Sequence, residues 1–266
     1  MLELLLSPFR VIFRHRALLL GTLVVELRST YAGSVLGLSW VVIAPLLLMV
    51  IYASVYLLIF RVTLPGLGPV DYVFLTSTGL SAFMTFGNSL GAGTNSVLRN
   101  KQVLLNAVFP AELLPVRAVL TACPPLVFGG LALMVLAPVF GQGSWKVLFV
   151  PVIALFQVMF MCGIAWILSL LTLLIRDIQH LIQYVTTVLL IITPIGYTLS
   201  MVPAGIALMV KLNPLAYYVL AYQSLIVFDR WPDGGILAVI AVMSTVTFLA
   251  GFWIFQKAKF AFYDYA

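Results

Sequence analysis

The chain has 266 residues, of which 63% are hydrophobic and only 8% charged, and its net charge is +6. A soluble domain carries about a quarter charged residues, so this chain cannot cover a water-facing surface and reads as an integral membrane protein. The positive charge is spread, with no basic–aromatic module for nucleic acid, and suits anionic lipid headgroups instead.

Residues 1–31 carry Leu19, Leu20, Leu23, Val24 and Leu27 at helical spacing, with Glu26 and Arg28 elsewhere around the helix. This pattern predicts an N-terminal amphipathic helix lying in the membrane interface. The uncharged run 17–25 is too short to cross ~30 Å of hydrocarbon. A helix packed on another part of the chain is the alternative. Arg10, Arg14 and Arg16 follow only a short apolar patch, so no cleaved leader is expected.

After Arg28 no charged residue appears until Arg61. Further uncharged runs cover 72–98, 118–145 and 147–175, continue from 178, and end with 234–256. Together they predict an all-α membrane protein with six transmembrane helices in a single domain, 1–266. With both termini cytoplasmic, the inner segments hold Arg10, Arg14, Arg16, Arg28, Arg99, Lys101, Arg117, Arg176, Lys257 and Lys259. The outer loops hold only Arg61, Lys146, Lys211 and Arg230. Basic residues favour the cytoplasmic side, which supports that orientation.

Two connecting regions stand out. Segment 98–112 places Val103-Leu104-Leu105 between polar residues and closes on Phe109-Pro110, and proline disfavours helix in the residue before it. A short cytoplasmic helix is therefore expected there. Region 194–232 is apolar but broken by Pro194, Gly196, Pro203 and Pro214. Broken helices at membrane depth persist only where protein or a wet cavity satisfies the freed backbone. Two short re-entrant helices dipping from the outer side, between the fifth and sixth spans, are the reading.

Several chemistries have no signature here. The chain has no phosphate-binding G-x-x-x-x-G-K-[ST] loop and no hydrolase motif. Ion-coupled carriers keep ionisable residues at the membrane midplane, and these spans hold almost none. Cys123 and Cys162 lie in apolar runs and read as small buried hydrophobes. His15 and His180 are too separated for a metal site. Tyr52, Tyr56 and Phe60 share a helical face, and with Phe83, Phe86 and Tyr197 they could line a sugar pathway or pack between helices.

The order Arg28, Tyr31, Gly33, Ser34, Leu36, Gly37, Trp40, Pro45 resembles the RY-x-GS-x-LG-x-x-W-x-x-x-x-P motif of ABC-2-type permeases, which export O-antigen, teichoic acid and capsule. Phe109-Pro110, Glu112 and Pro115 resemble that family's FP-x-E-x-x-P turn. Arg176-Asp177, Asn213-Pro214 and the basic, aromatic C-terminus are similar to its further features. Asn106-Ala107 departs from the basic residues usual there.

The resemblance implies a homodimer around a channel in the bacterial cytoplasmic membrane. It also implies two copies of a separate nucleotide-binding ATPase, which holds the ATP and Mg, and no cofactor in this chain. The implied cargo is a polyprenyl-diphosphate-linked glycan. Asn100, Lys101, Leu104, Phe109, Pro110, Glu112, Arg176 and Asp177 would face the ATPase. Arg28, Tyr31, Gly33, Leu36, Gly37 and Trp40 would admit the lipid diphosphate. An exporter of drugs or lipids, or an intramembrane protein of lipid metabolism, is the alternative.

Overall fold

The computed structural model describes residues 2–55, 68–101, 109–141 and 144–259, and among them every regular element is helical. Tyr56, Phe60 and Leu104 lie outside the described residues.

The amphipathic helix expected over 1–31 is two helices, α1 (Leu2–Arg14) and α2 (Arg16–Thr30), separated at His15. In α1, Leu6, Phe9 and Phe13 are exposed, while Val11 and Ile12 lean on the core. The Phe9 ring also lies 5.1 Å from Phe248. Segregation of this kind suits an interface helix. α2 departs from the expectation, because of its apolar stripe only Leu19 is buried and Leu18 and Val25 are exposed as well.

Among the described residues, three helices are long and apolar enough to cross a membrane. The first is a 3-10 turn (Gly37–Ser39) running into α3 (Trp40–Ser54). The second is a 3-10 turn (Trp145–Phe149) running into α7 (Val150–Leu174). The third is α11 (Gly234–Ala258), whose N-terminus is capped by the Asp233 carboxylate accepting from the Gly235 N–H at 3.0 Å.

The run 118–145, read as one span, is bent. α5 (Leu113–Thr121) meets a π-helical turn (Pro125–Gly129) and α6 (Gly130–Val139) at 43°. Pro124 and Pro125 lack the N–H that would continue the helix. Ser81 Oγ donates to the Pro125 carbonyl at 2.5 Å, which accounts for an acceptor at this break.

α8 (Ile178–Ile192) is apolar but has only 15 residues, ~22 Å of helix, which is short of a full crossing. It stops before Pro194. Beyond it lie α9 (Ala204–Leu212) and α10 (Pro214–Ile226), bent by 86° at Asn213. The two short helices expected in 194–232 are thus present.

α4 (Pro69–Arg99) occupies the centre and packs against α3, α5, α7, α8 and α10. Its 31 residues are long enough to cross but less apolar than the other spans. Thr76, Ser77, Thr78, Ser81, Thr85, Ser89, Thr94 and Ser96 are all buried on it. Small polar residues let membrane helices approach closely, and Thr76 and Thr94 return their hydroxyls to Tyr72 and Leu90 carbonyls. The core around α4 is aromatic, with Phe86 stacked on Phe160 and Trp166 against Phe248 and Phe252.

Candidate functional site

The turn joining α2 to α3 is built by its own sequence. α2 stops at Thr30, and the backbone then folds through successive tight turns, Ala32 to Ser29, Ser34 to Tyr31 and Gly37 to Ser34. Ser34 pins it, donating to the Tyr31 carbonyl and accepting from the Gly37 N–H, each at 3.0 Å. Gly33 and Gly37 adopt φ of +80° and +49°. Side chains rarely take that conformation, so glycine is required by the backbone. The resemblance implies that both glycines help to admit the lipid diphosphate. In the structure they belong to turns, and a Cβ on either would meet nothing within 4 Å. Arg28 and Leu36 are exposed, and Tyr31 and Trp40 are half-buried. The face is open, with an exposed guanidinium that has no ion-pair partner among the described residues beside an uncrowded backbone.

A second polar group lies behind this turn. Glu26, two residues before Arg28, pairs with Arg117 of α5 at 2.6 Å (Oε2 to Nε). Arg117 Nη2 also donates to Asn100 Oδ1 at 2.9 Å, and Asn100 Nδ2 donates to the Ser96 carbonyl at 2.8 Å. These residues edge a cleft of about 400 Å³ lined also by Gly21, Thr22, Val25 and Ser29. Asn100 was expected to face the ATPase, whereas Glu26 and Arg117 were not singled out. Their signal was present as opposite charges at the edges of apolar runs in a chain with few charges.

The remaining residues expected to face the ATPase gather partly around Glu112. This carboxylate is buried, accepts from Gln256 Nε2 at 3.1 Å and lies 3.7 Å from Lys259 Nζ. Its carbonyl accepts from Trp166 Nε1 at 2.9 Å. The 109–112 turn is thereby fastened to α7 and to the end of α11. Phe109 and Pro110 are half-buried and Lys101 is exposed. Arg176 and Asp177 form the exposed step between α7 and α8. Asp177 stands at the N-cap of α8, but its side chain does not cap it.

Burial separates the proposed pathway aromatics. Tyr52 is exposed on α3. Phe83 and Phe86 are buried in the core, where helix periodicity alone could not say what covers that face. Tyr197 is half-buried and donates to the Ile192 carbonyl at 2.8 Å. The broken region 193–214 is held by the side-chain amides of Asn213, already marked by its place before Pro214, and of Gln223, which no sequence motif marks. Gln223 Nε2 donates to the Pro194 carbonyl at 3.0 Å, and Asn213 Nδ2 donates to Thr193 Oγ1 at 2.7 Å. Asn213 also caps α10 through the Leu215 N–H, and Tyr72 donates to the Gly196 carbonyl at 3.1 Å. Tyr222 donates to Gln157 Oε1 at 2.8 Å, and Gln157 Nε2 donates to the Ala82 carbonyl of α4. Protein groups thus satisfy the freed backbone, as a broken helix in a membrane requires. Cys123 and Cys162 are both free and buried, in line with their apolar surroundings.

No family model matches the chain. Among curated proteins, it is 29% identical over 253 residues to the O-antigen export system permease protein RfbA of Myxococcus xanthus, covering 94% of this chain and 95% of that one. It is 28% identical over 244 residues to RfbA of Klebsiella pneumoniae, covering 89% of this chain and 90% of the relative. Another RfbA from Klebsiella pneumoniae is 28% identical over 242 residues, with the same coverage. Likeness along nine-tenths of both chains, together with an all-helical fold rich in apolar helices, makes this multi-pass protein similar over its length to O-antigen export system permease proteins.

Proposed function

We propose that the chain is the membrane subunit of an ABC exporter that carries a lipid-linked polysaccharide, O-antigen in the first place, across the bacterial cytoplasmic membrane. The observation that carries this reading is the full-length similarity to O-antigen export permeases. In this reading two copies form the channel. Two copies of a separate ATPase hold ATP and Mg and press on residues 98–112, Arg176 and Asp177 from the cytoplasm. Six crossings follow if α3, α4, the bent α5–α6 pair, α7, the α8 region and α11 each traverse the bilayer, with α9 and α10 re-entering from outside. The glycan's polyprenyl diphosphate approaches the turn 31–37 from the membrane. Arg28 is suited to meet a phosphate there, because a guanidinium donates two parallel hydrogen bonds.

The test is deletion of the gene in its native host, with complementation. Surface glycan should disappear while its lipid-linked form accumulates inside the cell, and the intact gene should restore export. Normal surface glycan in the deletion strain, with loss of another exported lipid or drug, would replace the cargo assignment.

A further inference from the structure

We infer that the Glu26–Arg117–Asn100 group is a rigid lever that makes the end of α4 at Asn100, α5 and the lipid-admitting turn move as one body. The inference rests on the proposed transport function for its direction, but the lever is a property of the chain alone.

The argument begins with how little holds α2. It touches the rest of the protein chiefly through α5, and its one buried side chain, Leu19, lies near its start. Leu20, Val24 and Val25 are exposed. Glu26 is seven residues beyond Leu19, two helical turns along the same face. The end of α2 that leads into Arg28 and the turn is therefore attached mainly by the Glu26–Arg117 ion pair.

Arg117 is in turn placed between the two ends of the segment that would meet an ATPase. It lies on α5, which begins at the 109–112 turn, and its Nη2 holds Asn100 at the end of α4. One guanidinium thus touches the departure of that segment, the helix that follows its return, and the helix that leads to Arg28. The Arg117 side chain is only 13% exposed, so water screens this contact less than a surface pair. A push at Asn100 reaches Arg28 through two side-chain contacts and the end of α2, and a push at the 109–112 turn reaches it through α5, the Glu26–Arg117 contact and the end of α2. Arg117 and Glu26 are then positioning residues, which touch no cargo themselves.

The experiment uses the full-length permease in lipid nanodiscs, alone and with its ATPase. The variants are Glu26→Arg, Arg117→Glu and the two together. Spin labels on Val24→Cys and Arg99→Cys report the separation of α2 from the end of α4. Each single variant should broaden that distance distribution, and the charge-swapped double variant should narrow it again. In the assembled exporter each single variant should lose at least about fivefold of the stimulation of ATP hydrolysis by lipid-linked glycan, within the usual range of coupling energies. Basal hydrolysis and complex assembly should persist, and the double variant should recover stimulation. Narrow distances in all variants would overturn the lever outright. Broadened distances with unchanged stimulation would overturn its role in transmission. Restored distances with no glycan-dependent activity even in the wild type would count against the cargo reading and leave the lever standing.

Discussion

Gly163 of α7 and Gly251 of α11 meet backbone to backbone, so close that a Cβ built on Gly251 would fall 2.3 Å from the Gly163 carbonyl oxygen. The Gly163 side faces an equally tight wall, the Thr247 carbonyl. No flexible side chain can move aside there. The most extensive helix contact among the described residues, α7 against α11, is therefore set by two missing methyl groups.

Gly251→Ala is expected to destabilise the protein. Alanine gains up to about 1 kcal/mol of helix propensity, but overpacking a tight core costs ~1–3 kcal/mol. The backbone position of the obstacle puts the cost at the upper end, so the contact term wins. Thermal unfolding in detergent should show a lower midpoint for Gly251→Ala and for Gly163→Ala. An unchanged midpoint in both would mean that the helices separate freely at this crossing.

Gln223→Leu keeps the volume near the Pro194 break but removes the donor to its carbonyl. A buried acceptor left without a partner costs ~1–3 kcal/mol. Backbone amides around 193–203 should exchange with deuterium faster, while those of α11 stay protected. Equal protection in the variant would show that Asn213 and Tyr72 hold the break by themselves.

At the other end of α7, Asp229 accepts from Ser144 Oγ at 2.5 Å and lies 3.2 Å from Lys146 Nζ. The Ser144 hydrogen bond first, and Lys146 second, hold its carboxyl below the ordinary carboxylate range. A depressed pKa favours the folded tie while the group is ionised. Its contribution is complete above an ordinary aspartate pKa of ~3.9 and fades as pH falls through the lowered value. Trp145 and Trp231, whose rings lie 5.6 Å apart beside this tie, provide the readout. Their fluorescence should change below that range in the wild type and stay flat in Asp229→Asn, since asparagine tolerates the φ of +43°.

Arg230 and Arg176 lie near opposite ends of the helix running from Trp145 to Leu174, because Lys146 grips Asp229 and Arg176 follows Leu174. Thirty residues of helix measure ~45 Å, more than the ~30 Å hydrocarbon core. A membrane-impermeant thiol reagent should label Arg230→Cys in intact cells and Arg176→Cys only after the membrane is opened. Labelling in the reverse pattern would invert the orientation.

Arg28→Ala should lower glycan export about tenfold, the equivalent of one charge-assisted hydrogen bond of ~1.5 kcal/mol. Arg28→Lys should recover part of it, since an ammonium retains charge but not the guanidinium fork. Wild-type export by Arg28→Ala at normal expression would leave Arg28 as a membrane anchor.

Much of this was legible along the chain because its cause is local. α11 begins where Asp233 supplies a cap, α10 where Asn213 precedes Pro214, and α8 ends before Pro194. The bend at Pro124-Pro125 was also local, but hydropathy counts proline as unremarkable, so 118–145 read as one span. Non-local features were harder. Tyr52 and Phe86 both appear as aromatics on apolar helices, and only the neighbouring helices decide that Tyr52 is open and Phe86 closed. The Glu26–Arg117 pair joins residues 91 positions apart, and no periodicity reports such a meeting. The glycines at 33 and 37 stand out in the motif around Arg28, but their positive φ belongs to a turn that no spacing announces.

The polar interior of α4 bears on how the protein is made. Eight buried hydroxyl residues are hidden from lipid only by neighbours, and α5, α7, α8 and α10 all follow α4 in the chain. During synthesis α4 therefore reaches the bilayer before most of its shelter exists. Polar residues weaken insertion of an isolated helix. Its stable residence in the membrane must wait for later helices, above all α7, so that biogenesis proceeds by joint partitioning of α4 with its successors rather than one helix at a time.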